Sequence, residues 1–311
     1  MSKKQQYRVS NWSFYNRALV NRGDLTVWFD EESIKTWHTR IKTGQKGRPR
    51  EYSNAAILCM LTLRALFNLP LRATEGLAAS IIKLLNLPIK APNYTTLSKR
   101  QGSVEIPLYK NKPTGPIHLV LDSTGLKVFG EVEWKVRQHG ISKRRVWRKL
   151  HLALDADTGV ILSSVFSTND IGDNEVFPDL LASIDCEIKQ ASGDGAYDNY
   201  ESYRLLHEHG AKITIPPRDG AKENILHKEY EHVYKRNQNI YLVNTLGKKR
   251  WKEWSGYHKR SLSETTMMRL KRIFNDKLHA IKFNNQSSEA FIKCNILNVM
   301  TNMRKPISYP I

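Results

Sequence analysis

Ile117-His118-Leu119-Val120-Leu121-Asp122 decides how the larger part of this chain is read. Four large apolar residues, uninterrupted except by His118, end at a carboxylate, the pattern of a strand buried on both faces. Upstream, Lys110-Asn111-Lys112-Pro113-Thr114-Gly115-Pro116 is rich in turn formers and marks a domain boundary. Downstream, Gly125 to Gly130 continues as a second strand. Trp147 to Asp155 and Val160 to Ser167 then pair through Asp157-Thr158-Gly159, a hairpin turn by composition. A helix over Asn174 to Ile184 precedes a strand, Glu187 to Ser192, which ends at Gly193-Asp194-Gly195. Another helix, Tyr200 to His209, leads to a strand from Lys212 to Ile215, closed by Pro216-Pro217. Strands first and alternation afterwards predict an α/β domain, a mixed sheet covered by helices. Residues 218–256 interrupt this order with charged and aromatic sequence and one expected strand, Ile240 to Val243. A long helix is expected from Tyr257 to about Ala280, and a last one from Ser288 to Met303.

The N-terminal third has a different grain. Residues 1–50 are polar, basic and aromatic, up to Gly47-Arg48-Pro49. That step holds Arg48 on a narrow, extended backbone suited to an A·T-rich minor groove, or is simply a basic turn beside a helix. Ser53 or Asn54 caps a helix that runs through Phe67 until Pro70. A second apolar helix follows over Leu77 to Leu85. After Asn93 comes Tyr94-Thr95-Thr96-Leu97-Ser98-Lys99-Arg100, a short basic helix. This order suits a helix-turn-helix that brings Lys99 and Arg100 to DNA, and equally a plain helical bundle.

Composition narrows the partner. The 311 residues carry 49 Lys and Arg against 30 Asp and Glu, a net charge of +19, with 40% hydrophobic residues. That is enough apolar sequence for a core, and the excess charge points to a polyanion, nucleic acid first. An uncharged apolar run such as Ala55 to Leu63 falls well short of the ~20 residues that span a bilayer. The opening Met1-Ser2-Lys3-Lys4 lacks a signal-peptide core. Cys59, Cys186 and Cys294 are scattered, as reduced thiols would be, so a cytoplasmic protein without a membrane partner is expected.

Asp122 and Asp194 both end strands, where rigid backbone aims side chains into a common cleft. Carboxylate oxygens there suit Mg²⁺, although an Asp after a strand also serves as a turn former. Tyr257, Arg260, Glu264 and Lys271 fall on one stripe about 60° wide if the helix starts at Tyr257. Such a stripe is a poor core face. It can line a polar cleft, with Glu264 as a third metal-binding carboxylate and Arg260 and Lys271 toward phosphates, or it can be a solvated, salt-bridged surface.

Tyr257-x2-Arg260-x3-Glu264-x6-Lys271 matches the Tyr-x2-Arg-x3-Glu-x6-Lys signature of bacterial insertion-sequence transposases. Val120-Leu121-Asp122-Ser123-Thr124-Gly125 and Ser192-Gly193-Asp194-Gly195-Ala196-Tyr197-Asp198 look like the regions around that family's two catalytic aspartates. With Arg148-Lys149-Leu150-His151-Leu152-Ala153 and the N-terminal motifs above, the chain resembles the IS-five family of DDE transposases over nearly its whole length. The resemblance implies a ribonuclease-H-like catalytic domain over 113–217 and 257–311, with 218–256 inserted before the Glu-bearing helix. A helical DNA-binding region over 1–112 would precede it. It implies that Asp122, Asp194 and Glu264 are catalytic and hold two Mg²⁺ ions, for which Mn²⁺ would substitute. The same site would then nick the transposon end and join it to target DNA. It further implies terminal inverted repeats and target DNA as partners, a homodimer or larger assembly on DNA, and a place of action at the bacterial nucleoid. Lys149 and His151 are candidates for facing phosphates, or complete the polar side of the sheet. Lys248-Lys249-Arg250-Trp251-Lys252-Glu253-Trp254 packs four cations and two indoles into seven residues. Lys249 and Arg250 could meet phosphates and Trp254 an unpaired base, or the indoles could pack the insertion onto the sheet. A stand-alone metal-dependent nuclease shares this site. A DNA-binding regulator without catalysis would leave the Tyr-Arg-Glu-Lys stripe unexplained.

Overall fold

The computed structural model describes residues 6–39, 49–108, 113–128 and 147–311; Arg48, a candidate minor-groove contact, lies outside them. The chain divides into two compact units, Met1–Tyr109 with Ala280–Ile311, and Lys110–His279.

In the first unit, helices α1 (Trp12–Asn21), α2 (Leu25–Trp28), α3 (Glu31–Lys35), α4 (Asn54–Leu66), α5 (Leu71–Leu84) and α6 (Tyr94–Arg100) follow in order. Side-chain caps start four of them. Asp24 accepts from Thr26 N–H, Asp30 from Ser33, Ser53 from Ala56 and Asn93 from Thr96, each cap worth about 1 kcal/mol. Ser53, not Asn54, is therefore the cap of α4. Pro70 opens α5 rather than merely closing α4, because its missing N–H costs nothing at a helix start. Ala56, Ile57, Met60 and Leu63 are buried on α4. Trp37 is buried as well, its indole N–H donating to Lys90 O at 2.8 Å. Strands β1 (Tyr7–Val9) and β8 (Ser308–Pro310) pair antiparallel. The last helix, α12 (Phe283–Met303), belongs to this unit, whereas the sequence reading groups it with the catalytic domain. Ala290, Ile292, Cys294, Ile296, Leu297 and Met300 are buried on it together with Gln286, Glu289, Lys293 and Asn298, and a helix buried on several faces does not declare its partner by an apolar stripe. Gln101, in the turn after α6, donates to Asn285 O on it.

The second unit is built on a sheet ordered β4-β3-β2-β5-β6, with β7 beside β2. Its strands are β2 (Ile117–Val128), β3 (Trp147–Asp155), β4 (Ile161–Thr168), β5 (Ile188–Ser192), β6 (Lys212–Thr214) and β7 (Lys277–Leu278). The β2–β3 and β3–β4 pairs are antiparallel, while β5 joins β2, and β6 joins β5, in parallel. The segment from Gly125 is thus the end of β2, not a separate strand. The Asp155 carboxylate accepts from the N–H groups of Asp157 and Thr158, and Gly159 takes φ +64°, which closes the hairpin. On one face Leu119, Leu121, Ala153, Ala191 and Ile213 bury against Phe177, Leu180 and Leu181 of α7 (Phe177–Ala182) and Tyr203 and Leu206 of α8 (Tyr200–Glu208). Each such large apolar side chain contributes roughly 1.5–3 kcal/mol on burial. This layer leaves the other face of β2 and β5, with Val120, Asp122, Gln190 and Ser192, to later parts of the chain.

The insertion is helical: α9 (Glu231–Leu246) and α10 (Lys248–Ser255) meet at Gly247, φ +79°. The expected strand Ile240–Val243 lies inside α9. Val233, Ile240 and Val243 are its buried apolar positions, the i, i+7, i+10 spacing of one helical face; four apolar-rich residues alone cannot separate helix from strand. Arg236 binds Asp198 through two bonds, 2.7 and 3.0 Å, with both side chains buried. Asn239 donates to Tyr203 OH and Ile213 O. Gln190 on β5 donates to Ser255 O. Among the described residues no single helix is long and apolar enough to cross a membrane.

His118 is buried on β2 within 2.8 Å of Ser192 Oγ. Burial, with Lys259 adding to it, pushes its pKa from 6.5 to about 4. The neutral ring is the folded form, so its stabilisation is complete above pH 6.5 and is lost as pH falls toward 4. This loss amounts to at most about 3 kcal/mol. Urea midpoints at pH 7 and pH 4.5 should therefore differ less in His118→Gln than in the wild type. Equal differences would contradict this account.

Candidate active site

Neighbouring parallel strands set the first two carboxylates. The register pairs Val120 of β2 with Ser192 of β5, so Asp194, two residues on and just past the end of β5, comes level with Asp122. Asp122 itself lies inside β2, paired with Leu152 of β3, and not at a strand end as the sequence suggests, because the strand runs on to Val128. Asp194 Oδ1 accepts from Ala196 N–H at 2.9 Å and caps a short 3-10 turn, Gly195–Tyr197. A side chain at position 193 would meet the Tyr197 ring at 2.8 Å, which is why glycine precedes Asp194.

The third carboxylate arrives on α11 (Ser261–Phe274), entered through a 3-10 turn, Tyr257–Arg260. Glu264 lies in its first turn, where the helix dipole favours a negative charge. The helix thus starts four residues later than the sequence suggests, and the four signature residues do not share one α-helical stripe. Tyr257 turns inward, its ring 5.6 Å from that of the buried Trp251. Burial raises the Tyr257 pKa; Asp194, Asp122 and Glu264 add to this and Arg260 opposes it. Lys271 is half-buried in the last turn, in the field of Asp276.

Arg260 brings the acids together. Its guanidinium stands 3.1 Å from Asp122 Oδ2, 3.3 Å from Glu264 Oε1 and 3.9 Å from Asp194 Oδ2. Burial works against the charged guanidinium, yet Asp122 and the other acidic neighbours outweigh it and hold its pKa above the ordinary arginine value. Asp122 Oδ1 also accepts from Ser123 N–H at 2.9 Å, and Oδ2 from the Ser263 hydroxyl at 2.7 Å. Asp122 is buried, Asp194 partly exposed and Glu264 mostly exposed, so the cluster opens to solvent on one side. All its donors are carboxylate oxygens, the chemistry that hard divalent cations take. Among the described residues, however, no three Asp, Glu, His or Cys side chains form a ready-made metal site. The donor set fits a divalent ion, and the place at its centre is held by Arg260.

The remaining candidates scatter. Lys149 donates to Ile171 O at 2.8 Å, and His151 is fully buried with Nε2 2.8 Å from Ser167 Oγ. Both side chains face Asp173, at 3.5 and 3.4 Å, and are held inside the chain. Burial lowers the His151 pKa against the pull of Asp173. On α10, Lys249 and Arg250 are exposed. Trp254 is 59% exposed while Trp251 is buried, and Lys212 Nζ lies 5.1 Å from the Trp254 ring centre. In the first unit Lys99 is exposed and Arg100 donates to Tyr52 O and Asn54.

Two participants had no sequence signal. Ser263 is one more hydroxyl beside Glu264. Asp173 sits in a polar loop whose residues read as turn formers, yet it accepts from Ser123 Oγ at 2.9 Å, next to Asp122. The Tyr197 pKa is driven well up by burial and then by Asp173, Asp194 and Asp122, a second sign that acidic groups converge here.

Two family models, each described as "Transposase DDE domain", match residues 20–131 and 113–299. Among solved structures, the cryo-EM structure of a piggyBac transposase synaptic complex with hairpin DNA is similar. The likeness has 10% identity and a TM-score of 0.39 over 94% of this chain and 76% of that one.

Asp173→Ala should lower stability by about 1–3 kcal/mol, because Ser123 and Lys149 lose a shared, largely buried acceptor. A urea midpoint equal to the wild type would contradict that.

Proposed function

The chain belongs to the DDE transposase family, and on that premise we propose that it binds the ends of an insertion sequence, cleaves DNA there and joins those ends to target DNA. The observation that carries the reading is the meeting of Asp122, Asp194 and Glu264 around one guanidinium, in the order and context the family signature requires. The antiparallel β2–β3–β4 meander followed by parallel β5 and β6 supports a ribonuclease-H-like domain, with the helical insertion ahead of the Glu-bearing helix.

Asp122, Asp194 and Glu264 would hold the divalent metal, two Mg²⁺ ions in this reading with Mn²⁺ as substitute. When bound, the metal supplies charge that activates the attacking oxygen and stabilises the leaving one at phosphorus. The chain's own residues do the positioning. Ser263 and Ser123 fix both oxygens of Asp122. Asp194 is held by its own turn, and Glu264 by the first turn of α11. Arg260 and Lys271, with Tyr257 behind them, would orient the scissile phosphate. Exposed Lys249 and Arg250 would attract flanking phosphates, and exposed Trp254 would offer an unpaired base a stacking surface. Lys149, donating to Ile171 O beside Asp173, and His151, buried against Ser167, would act on phosphate only through the shape of the strand. Lys99 and Arg100 on α6, with Arg48, would contribute to end binding. Joining two ends calls for a homodimer or larger assembly on DNA, at the bacterial nucleoid.

Asp122→Asn, Asp194→Asn and Glu264→Gln keep size and shape but remove a charge. Each should reduce Mg²⁺-dependent cleavage by at least about a hundredfold while DNA affinity at fixed salt stays within a few-fold. Gel assays of cleavage and binding on the same preparations check both halves. Cleavage near the wild-type level by any one variant would overturn the assignment. A chain that cleaves but never joins ends would be a stand-alone nuclease.

A further inference from the structure

Three acidic side chains that approach one another need a positive charge between them, and this chain carries its own. The Arg260 guanidinium reaches Asp122 and Glu264 at 3.1 and 3.3 Å and Asp194 at 3.9 Å. Among the described residues its terminal nitrogens meet the acids, while Nε is buried without a hydrogen-bond partner. An arginine with a dedicated structural role usually has its donors satisfied. Among the described residues this side chain is held by the carboxylates, on the residue just before α11 begins. Resting on the reading of these acids as the metal-binding triad, we propose that Arg260 is the triad's resident counter-ion: it positions Asp122, Asp194 and Glu264 before any divalent cation arrives, and exchanges with that cation on binding.

The exchange follows from charge and geometry. A divalent ion supplies more charge at the same centre, and its oxygen shell leaves no room for a guanidinium inside it. Asp122 keeps the Ser123 N–H and the Ser263 hydroxyl throughout, so it is the fixed point. The more exposed Asp194 and Glu264 have the freedom to regroup. Arg260 and the cation therefore compete, and removing the arginine frees the site for metal while costing the metal-free protein its internal ion pairs.

Mn²⁺ binding to the full-length chain without DNA, read by calorimetry together with thermal melting, tests this. Arg260→Gln should bind Mn²⁺ at least about tenfold more tightly than the wild type, the size of one charge-assisted hydrogen bond. Its metal-free melting temperature should fall below the wild-type value and recover on adding Mn²⁺. Arg260→Lys, which keeps the charge but loses the fork, should fall between them, and it carries the test if Arg260→Gln does not fold. Equal or weaker Mn²⁺ affinity in a folded Arg260 variant would overturn the exchange. Mn²⁺ binding that survives unchanged in Asp194→Asn would instead sink the metal-site reading on which the exchange rests.

Discussion

A carboxylate on the middle strand of a sheet is costly to take out of water unless every lone pair finds a partner, and Asp122 is such a group. Its partners come from Ser123 on its own strand and from Arg260 and Ser263 at the start of α11. Satisfying that one side chain therefore docks the helix onto the sheet. The same docking sets the position of Glu264, four residues beyond Arg260. The parallel pairing of β2 with β5 supplies Asp194 from the other side. The insertion is tied down by the same logic: Arg236 is buried because Asp198, just past Asp194, meets it with both oxygens. Polar pairs thus hold each element around the acids in place, while the apolar layer under Leu119 and Leu121 holds the sheet.

Much of this was legible from residue order. Strand periodicity and turn chemistry placed β2 to β6, and the capping residues placed α4 and α6, because those signals are local. Three features escaped. Ile240 to Val243 reads as a strand by composition, and only the long-range pairing of Asn239 and Arg236 with α8 and the turn before it reveals a helical face. The last helix is buried nearly all round, with Gln286, Glu289, Lys293 and Asn298 buried beside its apolar residues, so its sequence does not say which unit it joins. The expected stripe needs a regular helix from Tyr257, whereas Gly256, at φ +74°, starts a 3-10 turn that sends Tyr257 inward. The motif singles out the three acids that meet at Arg260. Ser263 and Asp173 were not legible, because a hydroxyl or an aspartate in a polar segment has the same local signature whether or not it touches a distant strand.

The charge distribution joins the fold to its work. A net charge of +19 favours a polyanionic partner, yet the candidate site itself is acidic. Phosphates could not approach three uncompensated carboxylates. In the proposed reading, a cation at their centre, first the chain's own arginine and then a divalent ion, would let one surface attract DNA and still present oxygen ligands. The two tryptophans of α10 divide labour in a similar way. Trp251 packs with Val243 and Tyr257 in a small core, and Trp254, three residues on, stays at the surface.

The central claim is that Asp122, Asp194 and Glu264 form one divalent-cation site. Anomalous diffraction from crystals of the full chain soaked in Mn²⁺ tests it most directly. The account predicts Mn²⁺ peaks within about 2.5 Å of oxygens from all three side chains, with the Arg260 guanidinium withdrawn. Mn²⁺ bound only at other carboxylates, with Arg260 still bridging the three acids, would contradict it.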